Sequence, residues 1–126
     1  MPDTVAPADL AKAYLRAMEA RDLDAARAML VEGFRMTFPG TAPMADFADL
    51  FDWAEPRYRQ VVKTFEAVET LWQDDVAIVY VRGTLAGEWP DGDPFEGIRF
   101  LDRFEIRDGK IAWQDVWNDV AEMRPR

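Results

Sequence analysis

The chain has 126 residues, of which 24 are acidic and 15 are basic, so its formal net charge is −9. Cysteine, histidine and serine are all absent, which excludes disulfides, thiolate and imidazole metal sites, and catalytic pairs of serine or cysteine with histidine. Any acid–base chemistry must therefore use Asp, Glu, Lys, Tyr or an activated water.

Length and apolar content predict one globular domain that spans residues 1–126. The chain is 49% apolar and 13% aromatic, which is too much for a disordered protein. No run approaches the ~18 apolar residues of a membrane span, and the first residues lack the basic start and apolar core of a signal sequence. The acidic balance repels phosphate. We therefore expect a cytoplasmic protein with no membrane or nucleic-acid partner, no metal and no cofactor.

Helical spacing dominates the beginning of the chain. Apolar residues recur four apart between residues 10 and 18, which predicts a first helix with Pro7 in its first turn. Asp22 is a typical N-cap for a second short helix that extends to Leu30. Tyr14 lies on the apolar stripe of the first helix, so its ring is expected to be buried and its hydroxyl needs a partner. A core tyrosine bonded to a carbonyl and a functional tyrosine both fit this position.

A short strand and a third helix are predicted next. Apolar and polar residues alternate from Phe34 to Phe38, and Pro39 ends that strand. Helical spacing returns between Phe47 and Ala54, where Pro56 limits the helix.

The second half of the chain has the composition of β-strands. We predict four strands, at residues 61–72, 76–88, 98–107 and 110–118. The dipeptides Asp74-Asp75 and Asp108-Gly109 join them into two hairpins. Helices followed by an antiparallel meander predict an α+β fold with the helices on one face of the sheet. Both faces of the first hairpin are partly apolar, so the sequence does not show which of them points towards the core.

The last hairpin predicts two carboxylates that face each other. If Asp108-Gly109 is a two-residue loop, Asp102 pairs with Asp115 on an apolar face. The aromatic residues of that face are Phe100, Phe104, Trp113 and Trp117. Opposed Cβ atoms lie about 5 Å apart, so burial would raise one pKa and supply both a proton donor and an acceptor. A bulge would shift this register, and an Asp102–Arg pair or an Asp115 at a wet sheet end are alternative interpretations.

Short motifs at both ends of the chain resemble those of NTF2-like proteins. They are Tyr14-Leu15-Arg16-Ala17-Met18, Asp22-Leu23-Asp24, Phe38-Pro39-Gly40, Asp102-Arg103-Phe104, Asp108-Gly109-Lys110-Ile111 and the segment 113–119. Within that superfamily the chain is similar to ketosteroid isomerases and SnoaL-like polyketide cyclases. The resemblance implies a cystatin-like α+β roll, in which three helices wrap a curved antiparallel sheet to form a cone with an internal pocket. It also implies a homodimer.

The resemblance implies roles for individual residues. Tyr14 and Asp102 fall where the isomerases have two hydrogen-bond donors to an enolate oxygen, a tyrosine and a protonated aspartic acid. The general base of the isomerases falls on Phe38, whose ring cannot accept a proton, so Asp115 is expected to move the proton. Asp115 also resembles an Asp on the last strand of limonene-epoxide-hydrolase-like proteins, although Arg82-Gly83-Thr84 does not reproduce the rest of their site.

These patterns predict a pocket for a small, largely apolar, carbonyl-bearing molecule, lined by Phe38 and by the four aromatic residues of the last hairpin. The first functional hypothesis is an isomerase or cyclase that uses Tyr14, Asp102 and Asp115. The second is a hydrolase in which the two carboxylates activate water. The third is a non-catalytic ligand-binding or dimerisation module, which aromatic side chains filling the pocket would favour.

Overall fold

The computed structural model describes residues 5–125, which form four helices and one five-stranded sheet. In chain order the elements are α1 (Pro7–Glu19), α2 (Leu23–Ala28), β1 (Leu30–Thr37), α3 (Phe47–Ala54), β2 (Gln60–Gln73), β3 (Val76–Glu88), β4 (Pro94–Arg107), β5 (Lys110–Asn118) and α4 (Val120–Met123). The predicted α+β class, the first three helices and the four-strand meander are confirmed. The short helix α4 was not predicted.

The sheet is curved, open and mixed, with the strand order β1-β5-β4-β3-β2. The strands from β2 to β5 pair antiparallel as predicted, whereas β1 pairs parallel with β5, which makes the sheet mixed. Leu30 was expected in the second helix, whereas it begins β1. The helix ends before Leu30 because the chain pairs with β5 at this point. Leu30 pairs with Ile111, and the Ile111 N–H donates a hydrogen bond to the Met29 carbonyl at 2.8 Å.

Local caps and turns form where the sequence predicted them. Pro7 begins α1, and the Asp22 side chain accepts a hydrogen bond from the Ala25 N–H at 3.2 Å, which caps α2. At the hairpin turns Asp74 and Asp108 have φ of 54° and 51°, a left-handed conformation that a short polar side chain tolerates.

The core lies between the helices and one face of the sheet, here called the inner face. Alternate residues of β3 and β4 point into it, and the buried apolar ones are Ala77, Val79, Val81, Leu85, Ile98, Phe100, Phe104 and Ile106. Among the described residues, the polar or charged side chains buried with them are Asp102 and Gln114. Burial of a carboxyl group without a partner is costly, so the buried Asp102 indicates a candidate functional site on the inner face.

Between residues 5 and 125, no helix is both long enough and apolar enough to cross a membrane.

Candidate functional site

A bulge in β5 changes the pairing on which the predicted carboxylate pair depended. The two pairs next to the turn form as expected, but Ala112 is then skipped in the ladder. Beyond it every β5 residue is displaced by one position, so Asp102 pairs with Val116 and Asp115 pairs with Arg103. A one-residue slip turns all following side chains to the other face of the sheet. The predicted opposition of Asp102 and Asp115 is therefore wrong.

The opposite, outer face of the sheet holds three residues that were expected to line the pocket. Asp115 accepts a hydrogen bond from the Trp113 indole N–H at 2.8 Å and lies 4.0 Å from an Arg103 guanidinium nitrogen. Trp117 is 52% exposed. Because all three follow the bulge, Asp115, Trp113 and Trp117 point away from the core and do not reach Asp102.

The other predicted aromatic residues lie on the inner side, in different environments. Phe38 lines a cavity. Phe104 is fully buried and packs edge-on against Tyr14, with ring centroids 6.0 Å apart. Phe100 is buried 5.2 Å from the ammonium nitrogen of Lys63, measured to the ring centroid. Phe38 thus lines the cavity as expected, whereas Phe100 and Phe104 are buried in the core and are not part of its lining.

This cavity has a volume of about 250 Å³ and lies between α1, α3 and the first residues of β2. Its apolar lining includes Leu15, Met18, Phe38, Leu50 and Val61. Its polar and charged lining residues are Tyr14, Glu19, Arg21, Tyr58, Arg59, Gln60, Lys63 and Gln114. The expected pocket is therefore present, and its lining combines apolar side chains with polar and charged ones.

Asp102 is fully buried next to Lys63. The Lys63 ammonium nitrogen lies 3.4 Å from Oδ2 of Asp102, and the Lys63 side chain is only 13% exposed. This distance exceeds the 2.7–2.9 Å of a charge-assisted hydrogen bond, and neither carboxyl oxygen has a hydrogen-bond partner among the described residues. Burial raises the pKa of the Asp102 carboxyl, while Lys63 and Gln114 act in the opposite direction without cancelling it. The protonated form of Asp102 is therefore favoured.

Two further buried side chains have unpaired polar atoms: the Tyr14 hydroxyl and Oε1 of Gln114 have no hydrogen-bond partner between residues 5 and 125. Burial, followed by the negative charge of Asp102, raises the pKa of Tyr14, so the phenol stays protonated and can donate. A buried polar group without a partner costs about 1–3 kcal/mol. The cavity thus offers a donor and an acceptor whose hydrogen bonds the fold does not use.

Several polar residues of the cavity, among them Tyr58, Lys63 and Gln114, were not identified as site residues from the sequence. Tyr58 follows α3 within a cluster of two arginines, and burial raises its pKa to about 12. Lys63 alternates with Val61 and Phe65 on β2, so its position on an apolar face was a detectable signal. That signal could not be used, because the sequence did not show which face of the β2–β3 hairpin points inward.

Helix α1 fixes the backbone of Lys63. The Lys63 N–H donates to Oε2 of Glu19 at 2.8 Å, and the Lys63 carbonyl accepts a hydrogen bond from Arg16 at 2.8 Å. Arg16 and Glu19 also bind each other at 2.8 Å. Because β2 is an edge strand, these backbone groups have no strand neighbour to pair with. The contacts hold the Lys63 side chain over the inner face.

We expect Glu19→Ala to lower the free energy of unfolding by about 1–3 kcal/mol, because the Lys63 N–H loses a charged acceptor. Urea denaturation measures this. The matched control is Glu66→Ala, since Glu66 forms an exposed ion pair with Arg82 at 3.7 Å and such pairs contribute little. Equal losses in the two variants would contradict the proposed role of Glu19.

No group of three or more acidic side chains that could hold a metal ion occurs in the described part of the chain.

Comparison with solved structures identifies proteins of similar fold. A loop-truncation variant of IdmH aligns with a TM-score of 0.74 and 20% identity over 94% of this chain and 96% of that one. Wild-type IdmH, from Streptomyces antibioticus, is described as a candidate polyketide cyclase. An NTF2-like protein of unknown function from Burkholderia pseudomallei aligns with a TM-score of 0.72 and 16% identity over 91% and 92% of the two chains. TerC, co-crystallised with polyporic acid, aligns with a TM-score of 0.71 and 16% identity over 93% and 95%.

These identities establish the NTF2-like fold and no more. Among curated proteins, no sequence matches the chain significantly. The family model described as a SnoaL-like domain matches residues 11–114, a span that includes Tyr14, Lys63, Asp102 and Gln114. The resemblance stated from the sequence motifs is thereby confirmed, and the chain belongs to the SnoaL-like family.

Proposed function

We propose that this domain binds a small, largely apolar molecule with a carbonyl group and catalyses proton transfer next to that carbonyl, as an isomerase or cyclase does. The observation that carries the proposal is the fully buried Asp102 beside Lys63, together with the unpaired hydroxyl of Tyr14. A carboxyl group with a raised pKa, a buried amine and a free donor at one cavity are the components that acid–base catalysis requires.

In the proposed reaction the carbonyl oxygen accepts a hydrogen bond from Tyr14, which stabilises the negative charge that develops in the enolate. A well-placed donor of this kind contributes about 3–4 kcal/mol. Lys63 lines the cavity and Asp102 does not. Asp102 therefore acts through Lys63, as the buried acid that exchanges a proton with the amine. The Lys63–Asp102 pair takes the proton from the carbon next to the carbonyl and returns it to another carbon.

The alternative functions have less support. Hydrolysis by two carboxylates required Asp102 and Asp115 on one face, and the register of β4 and β5 separates them. A non-catalytic ligand-binding or dimerisation module would be favoured by aromatic side chains that fill the pocket, whereas a cavity of about 250 Å³ remains.

Deuterium exchange tests the proposal without knowledge of the natural substrate. The probe is 2-tetralone, a bicyclic apolar ketone, and NMR follows the exchange of its α-protons in D₂O with catalytic amounts of protein. We expect the wild type to accelerate exchange and Asp102→Asn to slow the catalysed rate about 100-fold. Asp115→Asn, which alters a carboxylate on the outer face, is the matched control and should exchange at the wild-type rate. Catalysed exchange that is equally fast in all three proteins would exclude the Lys63–Asp102 pair.

The expected homodimer and the cytoplasmic location stay predictions. The outer face of the sheet exposes Trp117 and Leu71, which are 52% and 43% exposed, and a second copy of the chain would cover apolar area there.

A further inference from the structure

The cavity is lined by a lysine in a chain that otherwise strongly prefers arginine. Of the 15 basic residues, the lysines are Lys12, Lys63 and Lys110. The Lys12 side chain is 41% exposed and Lys110 is exposed at the β4–β5 turn, whereas the Lys63 side chain is 13% exposed. Arginine would satisfy an ion pair with Asp102 at least as well. A property that only lysine has, the ability to lose its proton and act as a nucleophile, explains the residue at this position.

The Lys63 side chain is largely withdrawn from solvent, and its nitrogen lies over the ring of Phe100 and 3.4 Å from the fully buried carboxyl of Asp102. Passing one proton from the ammonium group to this carboxyl frees the amine for attack and leaves no charge in the desolvated pair. Burial raises the pKa of the Asp102 carboxyl, in agreement with this transfer.

We propose that Lys63 is a covalent carbonyl-binding residue, whose side-chain nitrogen forms a reversible imine with a small apolar aldehyde or ketone in the cavity. This inference rests on the proposed function, because it requires the same carbonyl ligand. It goes further by assigning to Lys63 an attack on the carbonyl carbon, in addition to any role in proton transfer. Lysines that act in this way are desolvated by an apolar pocket or by neighbouring groups.

The atoms balance without an external reagent. The neutral amine attacks the carbonyl carbon, a C–N bond forms, and the π electrons move to oxygen. A proton passes from the nitrogen to that oxygen through the hydroxyl of Tyr14, which lines the cavity, and this yields a neutral carbinolamine. The hydroxyl group then leaves as water with a proton that Tyr14 relays from Asp102, and a C=N bond forms. One amine, one carbonyl and the Asp102 proton give one iminium ion and one water, and Asp102 is left as the carboxylate.

The iminium ion would strengthen the proposed catalysis. Its positive charge withdraws electrons from the neighbouring C–H bond more strongly than a hydrogen-bonded carbonyl does, so a weaker base is sufficient to remove the proton. Hydrolysis by the reverse of the same steps releases the product. The ligand class is therefore an aldehyde or ketone, since the imine forms at a carbonyl carbon.

Reductive trapping tests this inference in the wild-type protein. The protein is incubated with 2-tetralone and sodium cyanoborohydride at pH 7, and the reduced adduct is located by peptide mass spectrometry. We expect adduct formation at Lys63 at least tenfold faster than at Lys12 and Lys110, which serve as internal references in the same molecule. Lys63→Arg keeps the charge and removes the nucleophile, so its adducts should be confined to the two surface lysines.

The outcomes separate this inference from the proposed function. If Lys63 is modified no faster than Lys12 and Lys110, the imine is excluded, and wild-type deuterium exchange would still support enolisation with Lys63 as a proton carrier. If Lys63→Arg catalyses exchange at the wild-type rate, the imine is not on the reaction path and the inference is overturned. Loss of exchange in Lys63→Arg together with selective trapping in the wild type supports it.

Discussion

The Asp102→Asn variant is expected to lose less stability than the wild type when the pH is raised from 4 to 8. Burial raises the pKa of Asp102 above its ordinary value of 3.8. At pH values between 3.8 and the raised pKa of the folded protein, the folded protein holds up to one proton more than the unfolded chain, so the free energy of unfolding falls as the pH rises. The contribution of Asp102 is fully present below about pH 4 and is lost as the pH rises through its folded pKa. Within that window the slope reaches about 1.4 kcal/mol per pH unit.

Urea unfolding at pH 4, 6 and 8 measures the difference. The titratable groups that face Asp102, namely Lys63, Tyr14 and Tyr58, are present in both proteins, so the difference in slope reports the carboxyl group together with its coupling to these neighbours. Asp115→Asn is the control and should keep the wild-type slope, because Asp115 lies on the outer face. An unchanged slope in Asp102→Asn would mean that the carboxyl titrates normally in the folded protein.

Tyr14→Phe is expected to separate stability from activity. The hydroxyl of Tyr14 has no partner among the described residues, and an unpaired buried hydroxyl is costly, so its removal should leave the free energy of unfolding unchanged or raise it by about 1 kcal/mol. The same hydroxyl is the proposed donor to the enolate oxygen. Its loss should slow α-proton exchange of 2-tetralone about 100- to 1000-fold.

Thermal unfolding and deuterium exchange, measured on the same preparations, test both parts. Tyr80→Phe is the matched control, since Tyr80 lies on the outer face opposite Arg103 and should leave exchange unchanged. A Tyr14→Phe protein that is clearly destabilised but exchanges at the wild-type rate would identify Tyr14 as a structural residue.

Both predictions concern groups that the fold leaves without partners. Asp102, Tyr14 and Gln114 together have four buried polar atoms with no hydrogen bond in the described part of the chain. Most buried polar groups in proteins are paired, so such a cluster lowers stability. Proteins retain costs of this kind at sites where the same groups serve binding or catalysis.

Most of the helices and strands, and the face of β4 on which Asp102 lies, could be predicted from local sequence patterns. Helix spacing, the Asp22 cap and the Asp108-Gly109 turn depend on neighbouring residues, so they can be read locally. Alternation along β4 is also local, because it places Asp102 with Phe100 and Phe104 on one face whichever strand lies beside it. The motifs at both ends of the chain were enough to indicate the family.

The residues that contact Asp102 could not be predicted, because they depend on how distant segments pack. The bulge at Ala112 depends on both strands that flank β5, since the β1–β5 pairing also shifts between Leu30 and Arg35. Alanine has no particular preference for a bulge, so the residue type at position 112 did not predict one. That single skipped residue turned Asp115 outward, and the docking of α1 on the edge strand brought Lys63 to the carboxyl instead. The partner of a buried charge is chosen by packing between distant segments, which residue spacing along one strand does not encode.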